Sequence, residues 1–133
     1  GSAAPYPRRL YIDDRQTPSV VRWLGHHRLC LGAILRSPGD FTTSVAAFPL
    51  MVIRGDETFT LPDDTFELAL GDEIVLIGTE EGFNEQSECL YDDSTLYYTA
   101  TGRDIPTSKA WRRLTGQSWQ KAFAAMEDTA TSK

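Results

Sequence analysis

The stretch that decides the fold is "LPDDTFELALGDEIVLIGTEE", residues 61–81. Its proline and aspartates at 62–64 are typical of a turn, and apolar residues then alternate with polar or small ones over 66–70. Gly71-Asp72 turns the chain again. "EIVLIG", residues 73–78, is apolar without alternation, which predicts a central strand that is covered on both faces.

A helix should follow this strand. Thr79 is a suitable N-cap, and Glu80 and Glu81 favour the positive end of the helix dipole. Apolar residues then recur at helical spacing, which predicts that the helix lies across the sheet. The stripe that would face the sheet consists of Phe83, Gln86 or Ser87, and Leu90.

A hairpin should precede the stretch. The β-rich runs "PLMVI" and "TFTL" are joined through residues 54–57, where Gly-Asp supplies the positive φ of a tight turn. Further upstream, Thr17-Pro18 starts a short amphipathic helix that ends at Gly25. The apolar run 29–35 ends at the turn "SPGD" and is too short to assign by periodicity, so it is a second short helix or a strand, with helix preferred.

The end of the chain should add further elements. "STLYYTA", residues 94–100, predicts another strand, and "TGRDIP" a turn. Thr107 can cap a helix that carries Trp111 and Leu114 and ends at Gly116. A last amphipathic segment has an apolar side made of Trp119, Ala122, Phe123 and Met126.

Together these elements predict an α+β fold in which helices pack on a small mixed or antiparallel sheet. Residues 1–16 mix prolines and charges without periodicity, which predicts an irregular or extended lead-in, and its start, GSAA, is typical of a cloning scar. Residues 17–116 form the expected domain. Residues 117–133 are expected to be an amphipathic segment with a frayed end.

Composition limits the function. A chain of 133 residues with a net charge of −6 is expected to build one core, and its scattered basic residues exclude a nucleic-acid-binding surface. The two cysteines lie far apart and no signal-peptide pattern occurs, which favours reduced thiols in the cytosol. The longest apolar run is far short of the roughly 20 residues that span a bilayer, so we expect a soluble piece of a longer protein.

Few residues are candidates for metal binding or acid–base chemistry. His26, His27 and Cys30 have suitable ligand atoms, but a closed zinc site needs about four ligands and only Cys89 could add another. We therefore expect no metal. The remaining carboxylate candidates sit at predicted turns, where aspartate favours local backbone hydrogen bonds over catalysis. These are Asp63, Asp64, Asp72, Asp92 and Asp93.

The sequence has neither a nucleophile elbow nor a glycine pattern for a dinucleotide or triphosphate, so we expect no catalytic residue and no cofactor. Arg54 ends an apolar strand beside a turn, where its guanidinium could hold a phosphate or carboxylate bidentately. Arg54 is therefore the candidate ligand-binding residue. The alternative is an exposed hairpin arginine without a ligand.

The order of these features resembles the TrkA-type C-terminal domain, the second lobe of the regulator-of-potassium-conductance (RCK) module. The family pattern is R-G-x…P…D-x-x-L-x-x-GD-x-x-x-x-x-G, and the resemblance covers about residues 49–90. Residues 18–48 depart from the usual lobe, while the tail "LYYTATGRDIP…AWRRLTG" is similar to a bacterial subgroup in which this lobe follows a pore domain and a nucleotide-binding lobe. The corresponding residues are Arg54, Gly55, Pro62, Asp64, Leu68, Gly71, Asp72 and Gly78, with three residues instead of two between Asp64 and Leu68.

The resemblance implies a non-catalytic regulatory and dimerisation domain of a bacterial potassium channel or transport protein, on the cytoplasmic side of the inner membrane. Its partners would be a second copy, the pore and nucleotide-binding lobes of the same full-length chain, and a small anionic effector. The aromatic residues Trp111, Trp119 and Phe123 also predict a homodimer, because they would leave large apolar patches on a monomer. The alternatives are a small hydrolase and a stand-alone module that docks a partner with its aromatic tail.

Overall fold

The computed structural model describes residues 4–103, and it has the predicted α+β class. Strands β1, β6, β4 and β5 form an antiparallel sheet in that order, and β2 and β3 form a separate hairpin. The elements are β1 (Tyr6–Tyr11), α1 (Pro18–Leu24), a 3-10 helix (Leu31–Ile34), β2 (Arg36–Ser37), β3 (Asp40–Ser44), β4 (Ala47–Arg54), β5 (Glu57–Thr60), β6 (Glu73–Gly78), α2 (Glu80–Tyr91) and α3 (Asp93–Thr101).

Strand β6 lies between β1 and β4, so the prediction of a central strand is confirmed. Its side chains alternate, however: Ile74 and Leu76 are fully buried, whereas Val75 and Ile77 are partly exposed. The inner face of the sheet packs in one core with α2 residues such as Phe83. The expectation that both faces are covered is therefore wrong for the described residues.

The hairpin and the helix that flank β6 are confirmed. Arg54 pairs with Glu57 across the β4–β5 turn, where Gly55 has a φ of 58°. The Thr79 side chain accepts a hydrogen bond from the Gly82 N–H and caps α2. The predicted stripe is buried, and it consists of Phe83, Gln86 and Leu90.

The segments before and after the hairpin also follow the sequence. Helix α1 begins at Pro18 and is followed by Gly25 as predicted. The apolar run 29–35 contains a buried 3-10 helix, which decides between the two alternatives in favour of helix. Within residues 66–70 Glu67 forms an isolated antiparallel bridge with Cys30, and the Leu68 N–H donates to the Leu29 carbonyl at 2.9 Å.

Of the two alternatives for the lead-in, residues 1–16, the structure shows the extended one over Tyr6–Tyr11, which forms β1 and pairs with β6. The folded unit therefore starts before residue 17. Only Leu10 of this strand is buried, since β1 lies at the edge of the sheet. Edge strands tolerate proline and charge, so Pro7 and the arginines hid the strand from a periodicity search.

The strand predicted at 94–100 is also wrong, because these residues belong to α3. The Asp92 side chain accepts a hydrogen bond from the Thr95 N–H and caps the helix, and Leu96 and Thr99 are buried at helical spacing. Burial and capping thus override the β-propensity of the Thr and Tyr residues. The predictions for the helix at Thr107, the segment with Trp119, and the boundaries at 116 and 117 lie outside the described residues.

Candidate functional site

Arg54 lies at the end of β4 and forms an ion pair with Asp72, the corner residue before β6. Arg54 Nε donates to Asp72 Oδ1 at 2.8 Å, and Nη2 donates to Oδ2 at 2.9 Å. Nη2 also donates to the Glu67 carbonyl at 2.9 Å. Asp72 is fully buried and accepts a further bond from the Ala69 N–H at 2.9 Å, so the pair ties the hairpin to the corner.

Two aromatic rings flank this ion pair. The guanidinium carbon of Arg54 lies 5.4 Å from the ring centroid of Phe59 and 5.2 Å from that of Phe66. The hydrogen bonds to Asp72 raise the pKa of Arg54 above its usual value. A small anion at Arg54 would therefore have to compete with a buried carboxylate that already holds the guanidinium bidentately.

The contact between Asp72 and Arg54 could not be predicted from the sequence. The turn assignment is confirmed for Asp63, which accepts hydrogen bonds from the Thr65 backbone and hydroxyl, and these bonds lower the pKa of Asp63. Asp72 also lies at a turn, but its carboxylate is buried against Arg54. The partners are 18 positions apart, so neither periodicity nor turn chemistry indicates their contact.

The candidate metal ligands are not brought together. In the described part of the chain, no group of three or more His, Cys, Asp or Glu residues is placed to hold a metal ion. Cys30 is exposed and Cys89 is buried. Burial raises the pKa of the Cys89 thiol to about 12.

The most distinctive surface is the sheet face that points away from the helices, which we call the outer sheet face. It is formed by Met51, Ile53, Val75 and Ile77, with Met51 directly opposite Val75 across β4 and β6. All of these side chains are partly exposed. They belong neither to the hydrophobic core nor to the partly buried residues that pack against it, among the residues that the structure describes.

Polar residues border the outer sheet face. Arg9 on β1 and Glu73 on β6 form a salt bridge of 3.0 Å along one side. Thr58 and Thr60 of β5, which pair with Ile53 and Met51, form the other side. An apolar centre with a polar rim is the usual anatomy of a protein–protein interface.

A groove of about 950 Å³ opens where the outer sheet face ends, beside Ile77. Its apolar lining includes Phe48, Pro49, Leu61 and Pro62, and its acidic lining includes Asp63 and Asp64. Leu61 has a φ of 48°, which is rare for a residue with a side chain, and its side chain is 61% exposed.

Comparison with protein-family models, curated proteins and solved structures finds no match for this chain. Within residues 4–103, no helix has both the length and the apolar character that crossing a membrane requires. The described residues offer two candidate binding surfaces, the outer sheet face and the groove, in addition to the ion pair at Arg54.

Proposed function

We propose that the chain is a non-enzymatic regulatory and dimerisation domain, and that two copies associate through the outer sheet face. One observation carries the proposal: the central strands present Met51, Ile53, Val75 and Ile77 as partly exposed apolar side chains that lie outside the core cluster of the described residues. A contiguous apolar patch of this kind marks an interaction site on a soluble protein.

A second copy is the partner that this surface fits best. In a twofold dimer the same patch serves on both subunits, so an apolar centre meets an apolar centre. Val75 lies near the middle of the patch, opposite Met51 on β4 and Arg9 on β1. The salt bridge between Arg9 and Glu73 would stay at the rim, where charged groups keep part of their hydration.

Light scattering of the purified chain tests this assembly directly. We expect twice the mass of one chain, and we expect that mass to persist on dilution into the micromolar range. One chain mass at high protein concentration would contradict the proposal. The hydrolase alternative predicts turnover in a screen of common ester, phosphate and peptide substrates, whereas we expect none.

The resemblance to the RCK C-terminal lobe extends the proposal to a bacterial potassium channel or transport protein. Several residues of the pattern have separate structural tasks here: Arg54 and Asp72 form the buried ion pair, and Gly71 has a φ of 85°. Gly78 leaves no space for a side chain, because a Cβ would stand 2.7 Å from the Ala46 carbonyl oxygen. These structural roles support the interpretation that the sequence pattern maintains the fold of the domain.

The sequence upstream in the intact gene tests the potassium assignment. If the domain acts on the cytoplasmic side of the inner membrane, a nucleotide-binding lobe and a pore with a potassium-filter motif should precede it in the same chain. A gene that encodes neither would remove the potassium assignment. The dimer would remain open to the light-scattering test.

A small anionic effector is the second part of the proposal, with Arg54 as its contact. A regulatory ligand acts only through different affinities for two states, so an effector that displaced Asp72 would loosen the link between β4 and the corner before β6. Calorimetry with nucleotides, cyclic dinucleotides and simple carboxylates tests this contact. Micromolar binding that survives Arg54→Ala would contradict it, and absence of heat would leave assembly as the function.

A further inference from the structure

The groove beside Ile77 combines apolar and acidic lining residues. Its apolar lining includes the exposed side chains of Phe48 and Leu61, which are 56% and 61% exposed. Asp63 and Asp64 place two negative charges at its margin. A peptide with large apolar side chains next to basic ones satisfies both features.

The chain itself contains such a peptide outside the described residues. Residues 109–114 read KAWRRL, with two large apolar side chains, three basic residues and no acidic one. Trp111 and Leu114 have the size to fill the apolar lining, and Arg112 and Arg113 have the charge to meet the aspartates. A tryptophan buried in a pocket with arginines at its rim is the composition typical of binding hot spots.

The described chain ends within reach of the groove. Gly102 lies against the Phe41 ring on β3, since a Cβ there would stand 3.2 Å from Phe41 Cδ1. Ser44 lies three residues after Phe41 on the same strand, at a distance of roughly 10 Å. Ser44 lines the groove. Trp111 lies eight positions after Arg103, and an extended chain of that length spans up to about 26 Å.

We infer that residues 109–114 dock in the groove of their own chain, with Trp111 and Leu114 against Phe48 and Leu61. Arg112 and Arg113 lie towards Asp63 and Asp64. The unusual backbone of Leu61, whose N–H donates to the Leu50 carbonyl at 2.8 Å, holds an apolar side chain at the edge of the groove. Strain of this kind persists where it serves a site.

Photo-crosslinking in the full chain tests the inference. Benzoylphenylalanine, an aromatic photoreactive residue, replaces Phe48 in one protein and Tyr91 in a control. The two positions are matched, because Phe48 is 56% and Tyr91 55% exposed, and Tyr91 lies at the end of α2. We expect mass spectrometry to find cross-links from position 48 to residues 109–114, at several times the yield from position 91.

Mixing ¹⁵N-labelled and unlabelled chains distinguishes contacts within one chain from contacts between chains. We expect each cross-linked pair to consist of two labelled or two unlabelled peptides. Cross-links that join labelled to unlabelled chains would overturn docking in the same chain, and equal yields from positions 48 and 91 would overturn docking in the groove.

A charge-neutral variant tests the role of the arginines. Arg112→Gln combined with Arg113→Gln should lower the yield from position 48 about two- to fivefold, since exposed ion pairs contribute only modestly to binding. Raising the salt concentration should lower the yield of the unmodified tail in the same direction. An unchanged yield in the neutral variant would overturn the electrostatic match on which the inference depends.

Discussion

The two faces of strand β6 differ in what covers them. Leu76 points into the core that the helices complete, whereas Ile77, the next residue, lies on the outer sheet face. Both residues are apolar, as the unbroken run "EIVLIG" requires. The unbroken apolar run predicts cover on both faces of the strand, whereas the described residues bury only its inner face.

The largest expected effect separates these neighbours by stability. Leu76→Ala should lower the free energy of unfolding by about 3 kcal/mol, because it leaves a cavity beneath a fully buried side chain. Ile77→Ala is the matched variant, and for the dissociated chain it should cost about 1 kcal/mol or less. Urea unfolding at low protein concentration measures both, and equal losses would break the distinction between the faces.

The second effect compares two ion pairs on the same sheet. Asp72→Ala removes a buried carboxylate that accepts bonds from Arg54 and Ala69, and it should cost about 2 to 4 kcal/mol. Arg9→Ala removes an exposed partner of Glu73, and it should cost less than about 1 kcal/mol. Similar unfolding midpoints for the two variants would show that the ion pair between Arg54 and Asp72 does not stabilise the corner.

The third effect concerns the corner that carries Asp72. Gly71 has a φ of 85°, and a Cβ there would meet no atom within 4 Å, so a side chain costs only backbone strain. Gly71→Val should therefore lower stability by about 1 to 3 kcal/mol. Gly39→Val is the control, because that position has open space without a positive φ. An unchanged melting temperature for Gly71→Val would contradict the claim that this corner needs a positive φ at position 71.

The smallest effect at neutral pH comes from Cys89, which lies on α2 in the layer above the inner face. Burial raises the pKa of the Cys89 thiol from an ordinary value of 9.0 to about 12. Its contribution to stability should be complete below pH 9 and lost as the pH rises from 9 to 12, because the unfolded thiol ionises first. Cys89→Ser should flatten this part of the pH profile.

Thiol labelling of the native protein provides a second readout of the same layer. Exposed Cys30 should react fast, and buried Cys89 should react only when the helices open. Labelling of both cysteines at one rate would show that the helix layer does not protect the inner face.

The sequence predicted those elements whose burial and local chemistry agree. Strand β6 has the predicted bounds, and the hairpin turn at Gly55 and the Thr79 cap of α2 lie where the sequence predicts them. Strand β1 was missed because its place at the edge leaves only Leu10 buried. Helix α3 was mistaken for a strand because its Tyr and Thr residues favour β structure unless a cap and a core select a helix.

The candidate site was harder to predict than the fold. The sequence predicts Arg54 as a ligand-binding residue, and this stays a prediction. Its ion pair with Asp72 could not be predicted, because it depends on a contact between segments distant in sequence. The outer sheet face was present in the pattern of β6 from the start. The prediction of an interface depends on the structure, because only the strand register shows that Met51 and Val75 are neighbours on the outer sheet face.

The oligomeric state of Val75→Lys tests the central claim most directly. Lysine at the centre of the outer sheet face should keep the fold, since a partly exposed position lets its ammonium group reach water, but it should weaken a dimer on the order of 100-fold or more. Leu70→Lys is the control, because Leu70 is 63% exposed and lies outside this face. In sedimentation equilibrium we expect a dimer for the unmodified chain and for Leu70→Lys, and a folded monomer for Val75→Lys. A monomeric unmodified chain, or a dimer that persists in Val75→Lys, would contradict the account.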